Sequence, residues 1–228
     1  MKIEALDHVA LWVHDRDALA DFLCRYIGMH VIERTERFTL VGSDARRGKL
    51  TLFAAEGERE PGPLARVGLR VSDLERALAV LPPEVAVERP RPGEARLAAP
   101  ERLGLALVEV DGDVVDYDID HVALTVRDVE SARAEFETLG FAPEQSRLGA
   151  GGAFVDLLPG DPGAPELPLL NHLGLRVEST DFHIEEARRR GLEIADIVDA
   201  PNTYAVFVWG PERIKLEYVE HKASFSLR

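Results

Sequence analysis

Residues 7–11 read DHVAL, and residues 120–124 read the same five letters. Two further stretches repeat in the same order, GLRV at 68–71 and 174–177 and PER at 100–102 and 211–213. The three pairs have offsets of 113, 106 and 111 residues. Because chance rarely produces three ordered matches at nearly one offset, we interpret the chain as a tandem duplication, roughly 1–113 and 114–228.

The composition is that of a globular protein that binds neither nucleic acid nor membranes. The 228 residues are 46% hydrophobic and 30% charged, enough for one large domain or two small ones. A net charge of −14 argues against nucleic acid and anionic membranes, because both need a basic surface. The sequence shows no membrane-length apolar run and no apolar signal core, and a single cysteine, Cys24, excludes an internal disulfide framework. We therefore expect a cytoplasmic protein, with homo-oligomerisation left open.

Each half of the chain divides again into two units of one kind. A unit opens with a strand of alternating hydrophobicity, continues through an Asp into a helix-like run that ends near a Gly, and closes with about three short strands. The second unit of each half begins around the repeated GLRV. The pattern therefore predicts four βαβββ modules, two in each half.

Four βαβββ modules, with Asp-His-Val-Ala-Leu opening one and a carboxylate in the closing strand of another, resemble the vicinal oxygen chelate superfamily. This superfamily includes glyoxalase I, bleomycin-binding proteins and type I extradiol dioxygenases, and the pattern is most similar to the extradiol dioxygenases. The resemblance covers essentially the whole chain. It implies an α+β fold in which each half forms a curved mixed sheet around a cleft, with the helices outside. It also implies a metal held by residues of the first and last strands.

Period-two alternation separates the two faces of the predicted strands. The residues expected to pack on the helices are apolar: Val122, Leu124 and Val126, then Leu173, Leu175 and Val177, then Ile214, Leu216 and Tyr218. The residues expected in the cleft are His121, Ala123 and Thr125, then His172, Gly174 and Arg176, then Lys215, Glu217 and Val219. The small Ala123 and Gly174 are expected to leave room for a ligand.

Glu217 is the clearest difference between the two halves. The stretch PERIKLEYVEH at 211–221 matches PERLGLALVEV at 100–110, but Ala106 stands where the second copy has Glu217. A buried, unpaired carboxylate costs roughly several kcal/mol, so Glu217 needs a partner. A divalent metal shared with two histidines supplies one.

The resemblance to extradiol dioxygenases assigns the metal ligands to His121, His172 and Glu217. Two His and one carboxylate form a facial triad with open positions, which is typical of non-haem Fe(II) enzymes. The implied cofactor is Fe(II), with Mn(II) as the alternative, and the implied partners are an aromatic small molecule and O2. The metal site is placed in the half 114–228, and the half 1–113 is predicted to lack metal ligands.

Two alternatives to this triad remain open. If module four pairs with module one, His8 replaces His121 as the first ligand; the adjacency of modules three and four favours His121. The second alternative is a hydrogen-bonded cluster in a cleft without metal.

Further residues complete the predicted site. Tyr204 is the candidate catalytic residue, and the candidate substrate contacts are Phe154, Arg176, Phe207 and Lys215. Residues 140–170 contain no histidine, so the acid–base His that the resemblance implies is missing. The predicted function is extradiol-type ring cleavage, and the alternatives are a glyoxalase-like lyase or isomerase and a non-catalytic protein that binds small molecules.

The remaining charged candidates are interpreted as ordinary surface groups. Solvent exposure is expected for His14, His30, His183 and His221. Arg66 and Arg70 could hold an anion, but salt bridges with neighbouring glutamates are the favoured interpretation.

Overall fold

The computed structural model describes residues 1–44, 47–112 and 115–225, which form four modules of four strands and one helix each. Module one consists of β1 (Ala5–Val13), α1 (Arg16–Phe22) with a π-helical extension (Leu23–Ile27), β2 (His30–Arg34), β3 (Phe38–Asp44) and β4 (Arg47–Ala54). Module two consists of β5 (Leu64–Val71), α2 (Leu74–Leu78), β6 (Val87–Arg91), β7 (Glu94–Ala98) and β8 (Gly104–Glu109). Module three consists of β9 (Ile119–Val126), α3 (Val129–Thr138), β10 (Ala142–Glu144), β11 (Arg147–Ala150) and β12 (Ala153–Pro159). Module four consists of β13 (Leu170–Arg176), α4 (Thr180–Arg190), β14 (Ile194–Asp199), β15 (Thr203–Trp209) and β16 (Lys215–His221).

Side-chain caps start the four helices. Asp15, Asp73 and Asp128 each accept a hydrogen bond from the backbone N–H three residues later, at 2.9 Å, and Ser179 accepts one from Phe182 at 3.3 Å. These bonds satisfy N–H groups that the first helical turn leaves without partners. The predicted pattern of strand, polar cap, helix and three strands is therefore confirmed in all four described modules.

The strands form two eight-stranded mixed sheets, and each sheet joins two modules. The first sheet has the order β14-β15-β16-β13-β1-β4-β3-β2 and joins modules four and one. The second has the order β10-β11-β12-β9-β5-β8-β7-β6 and joins modules three and two. In both sheets the two modules meet through their opening strands, which pair antiparallel. The α+β class and the βαβββ modules are confirmed.

The expected pairing of modules three and four is wrong. The segments 55–63 and 160–169 each cross from one sheet to the other, and they bind one another through backbone hydrogen bonds between Glu60 and both Leu167 (3.0 Å) and Leu169 (2.7 Å). Each sheet therefore contains one module from each half of the sequence, and neither 1–113 nor 114–228 forms a sheet of its own. The predicted boundary, at 113 and 114, lies outside the described residues.

One apolar core lies between the helices and the sheets. The faces predicted from alternation are confirmed: Val122, Leu124, Leu173, Leu175, Leu216 and Tyr218 are fully buried. The opposite faces carry the polar residues of the two clefts. No described helix is long and apolar enough to cross a membrane.

The repeated PER stretch ties together the two modules of each half across the sheets. Glu101 has φ 63° and accepts hydrogen bonds from the backbone N–H groups of His14 (2.7 Å) and Asp15 (3.0 Å), which lead into α1. Its counterpart Glu212 has φ 52° and accepts one from the N–H of Arg127 at 2.8 Å, just before α3. In both halves, a glutamate in left-handed backbone conformation holds the end of a strand in the preceding module.

The later glutamate of the same frame caps a helix of its own module. Glu109 accepts a hydrogen bond from the N–H of Leu74 at 3.0 Å, and Glu220 accepts one from the N–H of Thr180 at 3.0 Å. Both are placed at a helix N-terminus, where a negative charge is favourable. The glutamates at the two positions that both copies share therefore have structural roles. Glu217 is the glutamate of this stretch that has no counterpart in the first copy.

Replacing Glu101 by Ala is expected to lower the free energy of unfolding by about 1–2 kcal/mol, because two backbone donors lose a charged acceptor. The matched control is Glu58→Ala, which removes an exposed ion pair with Arg102 (3.4 Å) and should cost less than about 0.5 kcal/mol. Urea unfolding followed by circular dichroism measures both values. Equal values for the two variants would contradict the bridging role of Glu101.

Candidate metal centre

Three neighbouring strands bring two histidines and a glutamate together. β1 carries His8, β13 carries His172 and β16 carries Glu217. Gly174 lies opposite His8 across the antiparallel pair and beside Glu217 across the parallel pair. The register therefore places His8 and Glu217 on either side of a residue without a side chain.

The Nε2 atoms of His8 and His172 lie 3.0 Å apart. The Oε2 atom of Glu217 is 3.1 Å from Nε2 of His8 and 3.2 Å from Nε2 of His172. His172 and Glu217 are buried, at 6% and 9% exposure, and His8 is nearly so. Among the described residues, these three form the group of His, Cys, Asp and Glu side chains that could hold a metal ion.

Gly174 makes the approach of His8 possible. A Cβ atom at Gly174 would lie 2.2 Å from Cε1 of His8, well inside van der Waals contact. The sequence suggested that Gly174 leaves room for a ligand; the structure shows that its space is taken by the His8 ring.

Hydrogen bonds at the far side of each ring fix the orientation of the imidazoles. The Nδ1–H of His8 donates to Asp7 at 2.9 Å, and Asp7 is itself bound by the buried Lys49 at 2.9 Å. Nδ1 of His172 is 3.0 Å from the side-chain oxygen of Asn171. A ring whose Nδ1 donates and whose Nε2 carries no proton directs its Nε2 lone pair towards Glu217.

The electrostatics of the cluster favour a positive charge at its centre. Burial opposes protonation of His8, but the hydrogen bond to Asp7 and the negative charge of the nearby Glu217 carboxylate outweigh it and raise its pKa to about 9. Burial lowers the pKa of His172. Burial also disfavours the ionised form of Glu217, yet the two imidazoles hold its pKa well below the usual range. The buried carboxylate therefore stays ionised and is balanced by a proton on His8 or by a bound cation.

The geometry of the three groups is compatible with a bound divalent metal. The Oε2 atom of Glu217 is buried without a hydrogen-bond partner among the described residues, although both Nε2 atoms are close. Bonds of about 2.1 Å at right angles separate ligand atoms by about 3.0 Å, whereas tetrahedral angles separate them by about 3.4 Å. The observed separations of 3.0 to 3.2 Å lie within this range, so one divalent ion could bond to all three atoms.

His121 lies in the second sheet, with Arg66 and Ala106 as its neighbours in place of His172 and Glu217. The predicted set His121, His172 and Glu217 is therefore corrected: His8 completes the cluster, as in the alternative in which module four pairs with module one. The half 1–113, predicted to lack metal ligands, supplies this one. The reason is that β13 pairs with β1 and not with β9. Nothing in the pentapeptides around the two histidines distinguishes them, because they are identical.

Two of the predicted substrate contacts line the cleft beside the cluster, and the other candidates do not. Phe207 is paired with Glu217, and its ring centroid lies 5.2 Å from that of His172. Lys215 lines the same cavity, with its Nζ 5.2 Å from the centre of the Trp209 ring. Phe154 lies in the second sheet beside His121, and Arg176 forms an ion pair with Glu4 at 3.3 Å.

Tyr204 faces away from the cluster. It lies three residues from Phe207 on the same strand, so alternation turns its side chain to the helix-covered face, where its hydroxyl donates to Asp181 of α4 at 3.1 Å. Its predicted catalytic role is therefore not supported by its position.

Two adjoining cavities, of about 460 and 320 Å³, open beside the cluster. Both are lined by Phe53, His172 and Phe207, and the larger also by Trp12. Residues of module one therefore form much of the wall, which was predicted to come from modules three and four.

Two histidines that were expected to be exposed to solvent lie against other side chains instead. His183 is 3% exposed and stacks on Tyr218, with ring centroids 4.9 Å apart. His221 lines the smaller cavity, 3.4 Å from Asp7, and stacks on Phe225 at 3.7 Å. His221 therefore adds a third imidazole to the wall of the cleft.

Comparisons with known proteins agree with this architecture. Residues 5–95 match the family model described as Glyoxalase/Bleomycin resistance protein/Dioxygenase superfamily. Similar solved structures include a protein of Bacillus subtilis subsp. subtilis str. 168 provisionally named a dioxygenase, with TM-score 0.78, 16% identity and coverage of 96% of this chain and 86% of that chain. Glyoxalase I from Zea mays has TM-score 0.75 and 15% identity, with coverage of 95% and 92%. The comparison with curated protein sequences gives no match.

At these identities, the structural likeness shows the fold alone. It extends over nearly the whole chain, whereas the sequence match to the family model covers the first module and most of the second. The resemblance to the superfamily is therefore confirmed, and the likeness to solved structures does not distinguish its reactions.

Replacing His8, His172 or Glu217 by Ala is expected to abolish stoichiometric metal binding, because each removes one of three protein ligands. His121→Ala is the matched control and should keep one metal per chain. Metal content after anaerobic loading with Fe(II) and desalting gives the readout, with circular dichroism to verify folding. Loss of metal in His121→Ala, or its retention in Glu217→Ala, would refute this assignment.

Gly174→Ala is expected to lower metal affinity by at least about 10-fold, because the new methyl group displaces the His8 ring from the cluster. Gly68→Ala is its counterpart in the second sheet, where a Cβ would lie 2.3 Å from the His121 ring. That variant should suffer a similar loss of stability and keep its metal affinity. Titration with Fe(II) compares the two, and equal affinities in both variants would contradict the role of Gly174.

Proposed function

We propose that the chain is a metal-dependent enzyme of the vicinal oxygen chelate type, with the metal held by His8, His172 and Glu217. The observation that carries the proposal is the convergence of three lone-pair donors within 3.2 Å, one of them a buried carboxylate oxygen without a hydrogen-bond partner. Burying such a set of groups costs free energy unless a cation lies between them.

We infer extradiol-type ring cleavage of a catechol-like aromatic as the reaction. A triad of two histidines and one carboxylate on one face is typical of non-haem Fe(II) enzymes that bind substrate and O2 together. Fe(II) is the metal proposed, with Mn(II) as the alternative. When bound, it would lower the pKa of a substrate hydroxyl and stabilise the negative charge that develops on the oxygen.

The walls of the cleft suit a flat aromatic substrate. Phe53 and Phe207 flank His172, with ring centroids 6.4 and 5.2 Å from its own, and Trp12 packs on Phe53 at 5.4 Å. Aromatic rings bind a substrate ring by offset or edge contacts and exclude water from it. Arg37 and Lys215 also line the larger cavity, beside Glu36 and Asp196, and either cation could pair with an anionic substituent.

His221 is the chain's candidate for accepting a proton from a substrate hydroxyl. It lines the cavity that contains His8 and Glu217, and its contact with Asp7 holds the ring in place. This imidazole comes from the end of module four, whereas the resemblance implies an acid–base His late in module three. A side chain in that role contributes about 10²- to 10⁴-fold to the rate.

A glyoxalase-like reaction is the second candidate, and the ligand set tells against it. Such enzymes usually use a fourth protein ligand, and the group of potential metal ligands found among the described residues has three members. Thr51 lines the cavity with them but offers only a hydroxyl.

The Fe(II)-loaded chain is expected to consume O2 in the presence of at least one catechol from a panel that includes carboxylate-substituted members. Both oxygen atoms enter the ring-opened product, so one O2 is consumed for each ring cleaved and no external reductant is needed. An oxygen electrode and the near-ultraviolet absorbance of the product measure the two rates. Glu217→Ala is the control and should lower both by at least about 100-fold.

Two results would contradict the proposed reaction and lead to different conclusions. A chain that binds Fe(II) through the triad without O2 uptake for any catechol would support the glyoxalase-like alternative. A chain that binds no Fe(II), yet binds aromatic molecules by calorimetry, would support a non-catalytic binding protein.

A further inference from the structure

The second sheet has a cleft of its own, opposite in charge to the first. A cavity of about 420 Å³ opens there, lined by Arg66, Arg91, Glu94, Arg96, His121, Ser146, Arg147, Asp156, Leu157 and Leu158. Four arginines face two carboxylates, an excess of two positive charges on a chain with a net charge of −14. The local field therefore attracts anions although the protein as a whole repels them.

The registers of the two sheets allow the clefts to be compared position by position. His121 corresponds to His8, since each lies opposite the glycine of a GLRV stretch. Arg66 takes the position of His172, and Ala106 takes that of Glu217. In the adjacent strand, Arg96 lies opposite Ala106, where the first cleft has Phe207 opposite Glu217. The same framework therefore carries arginines where the first cleft has His172 and Phe207, and a methyl group where the first cleft has the carboxylate.

Most of the charges in this cleft are paired with one another. Glu94 is 3% exposed and forms ion pairs with Arg91 and Arg96, each at 2.6 Å. Arg147 forms an ion pair with Asp156 at 2.6 Å. These pairs hold the guanidinium groups in place around the cavity and use up the two carboxylates that line it.

Arg66 is the exception. Its Nε–H is buried without a hydrogen-bond partner, and among the described residues its guanidinium forms no ion pair. Burial and the neighbouring Arg96 lower its pKa, although it remains an arginine that stays charged at any physiological pH. A half-buried guanidinium with free donors is costly unless an acceptor reaches it.

His121 offers a second group without a partner, next to Arg66. Its ring is 2% exposed, and its Nδ1–H donates to Asp120 at 2.8 Å. Its Nε2 atom is buried without a hydrogen bond, 3.9 Å from Asp156, and the residue lines the cavity. A neutral ring with this orientation accepts a hydrogen bond from an O–H group.

We propose that this cleft binds a small hydroxycarboxylate, with its carboxylate on Arg66 and its hydroxyl on His121. The planar guanidinium donates two parallel hydrogen bonds to a carboxylate, and the hydroxyl donates a hydrogen bond to the Nε2 lone pair of His121. The volume of the cavity accommodates an acid of four to six carbon atoms. The site is separate from the candidate metal centre and does not depend on the proposed reaction.

Isothermal titration calorimetry of the full chain with malate, succinate and inorganic phosphate tests the proposal, at an ionic strength held constant with chloride. We expect saturable binding of one malate per chain. The affinity for succinate should be lower by about 5-fold, because succinate lacks the hydroxyl. Arg66→Met, which keeps an unbranched side chain and removes the guanidinium group, should weaken malate binding by about 10- to 100-fold. His121→Phe should remove the preference for malate over succinate.

Variants at the other cleft separate this site from the metal centre. Glu217→Ala should lose metal and keep malate binding, while Arg66→Met should lose malate binding and keep metal. A second substitution, Arg66→Lys, keeps the charge and removes the planar guanidinium with its two parallel hydrogen bonds. It should weaken malate binding less than Arg66→Met does. Absence of saturable binding, equal binding by wild type and Arg66→Met, or binding of phosphate alone would overturn the proposal.

Discussion

The antiparallel pairing of β1 with β13 is the contact on which the candidate metal centre depends. It sets His8 opposite Gly174, and the parallel pairing of β13 with β16 sets Glu217 on the other side of the same glycine. Were β13 paired with β9, Glu217 would still be buried, and a different histidine would have to balance it. Because an uncompensated buried carboxylate costs several kcal/mol, this pairing and the position of Glu217 are physically coupled.

The order of the modules in the two sheets explains how distant strands come to pair. Two crossing segments, bound to each other between Glu60 and Leu169, carry the chain from one sheet to the other. Modules adjacent in sequence remain in contact across the sheets through Glu101 and Glu212, whose carboxylates hold the strand ends before α1 and α3. The duplication therefore repeats the contacts between sheets, while the sheets themselves combine one module from each copy.

Much of this architecture could be predicted from alternation and repeats alone. These identify the four modules, the buried faces of the strands, and the inward direction of His172 and Glu217. They could not choose between His8 and His121, because local sequence fixes which way a side chain points and leaves open which strand lies beside it. His8 and His121 share one pentapeptide, so only the pairing of whole modules separates them. Tyr204 was misplaced for a related reason: three residues along a strand reverse the face.

The two clefts also show why the substitutions between the copies occur together. In the first, Glu217 is balanced by two imidazoles, and the neighbouring Phe207 is uncharged. In the second, Ala106 removes the carboxylate, and arginines stand at the positions of His172 and Phe207. A carboxylate among these arginines would neutralise them, and an arginine in place of His172 would repel a divalent cation. The sign of the charge that each cleft can bind is therefore set by a few positions that must change together, on a strand framework that stays the same.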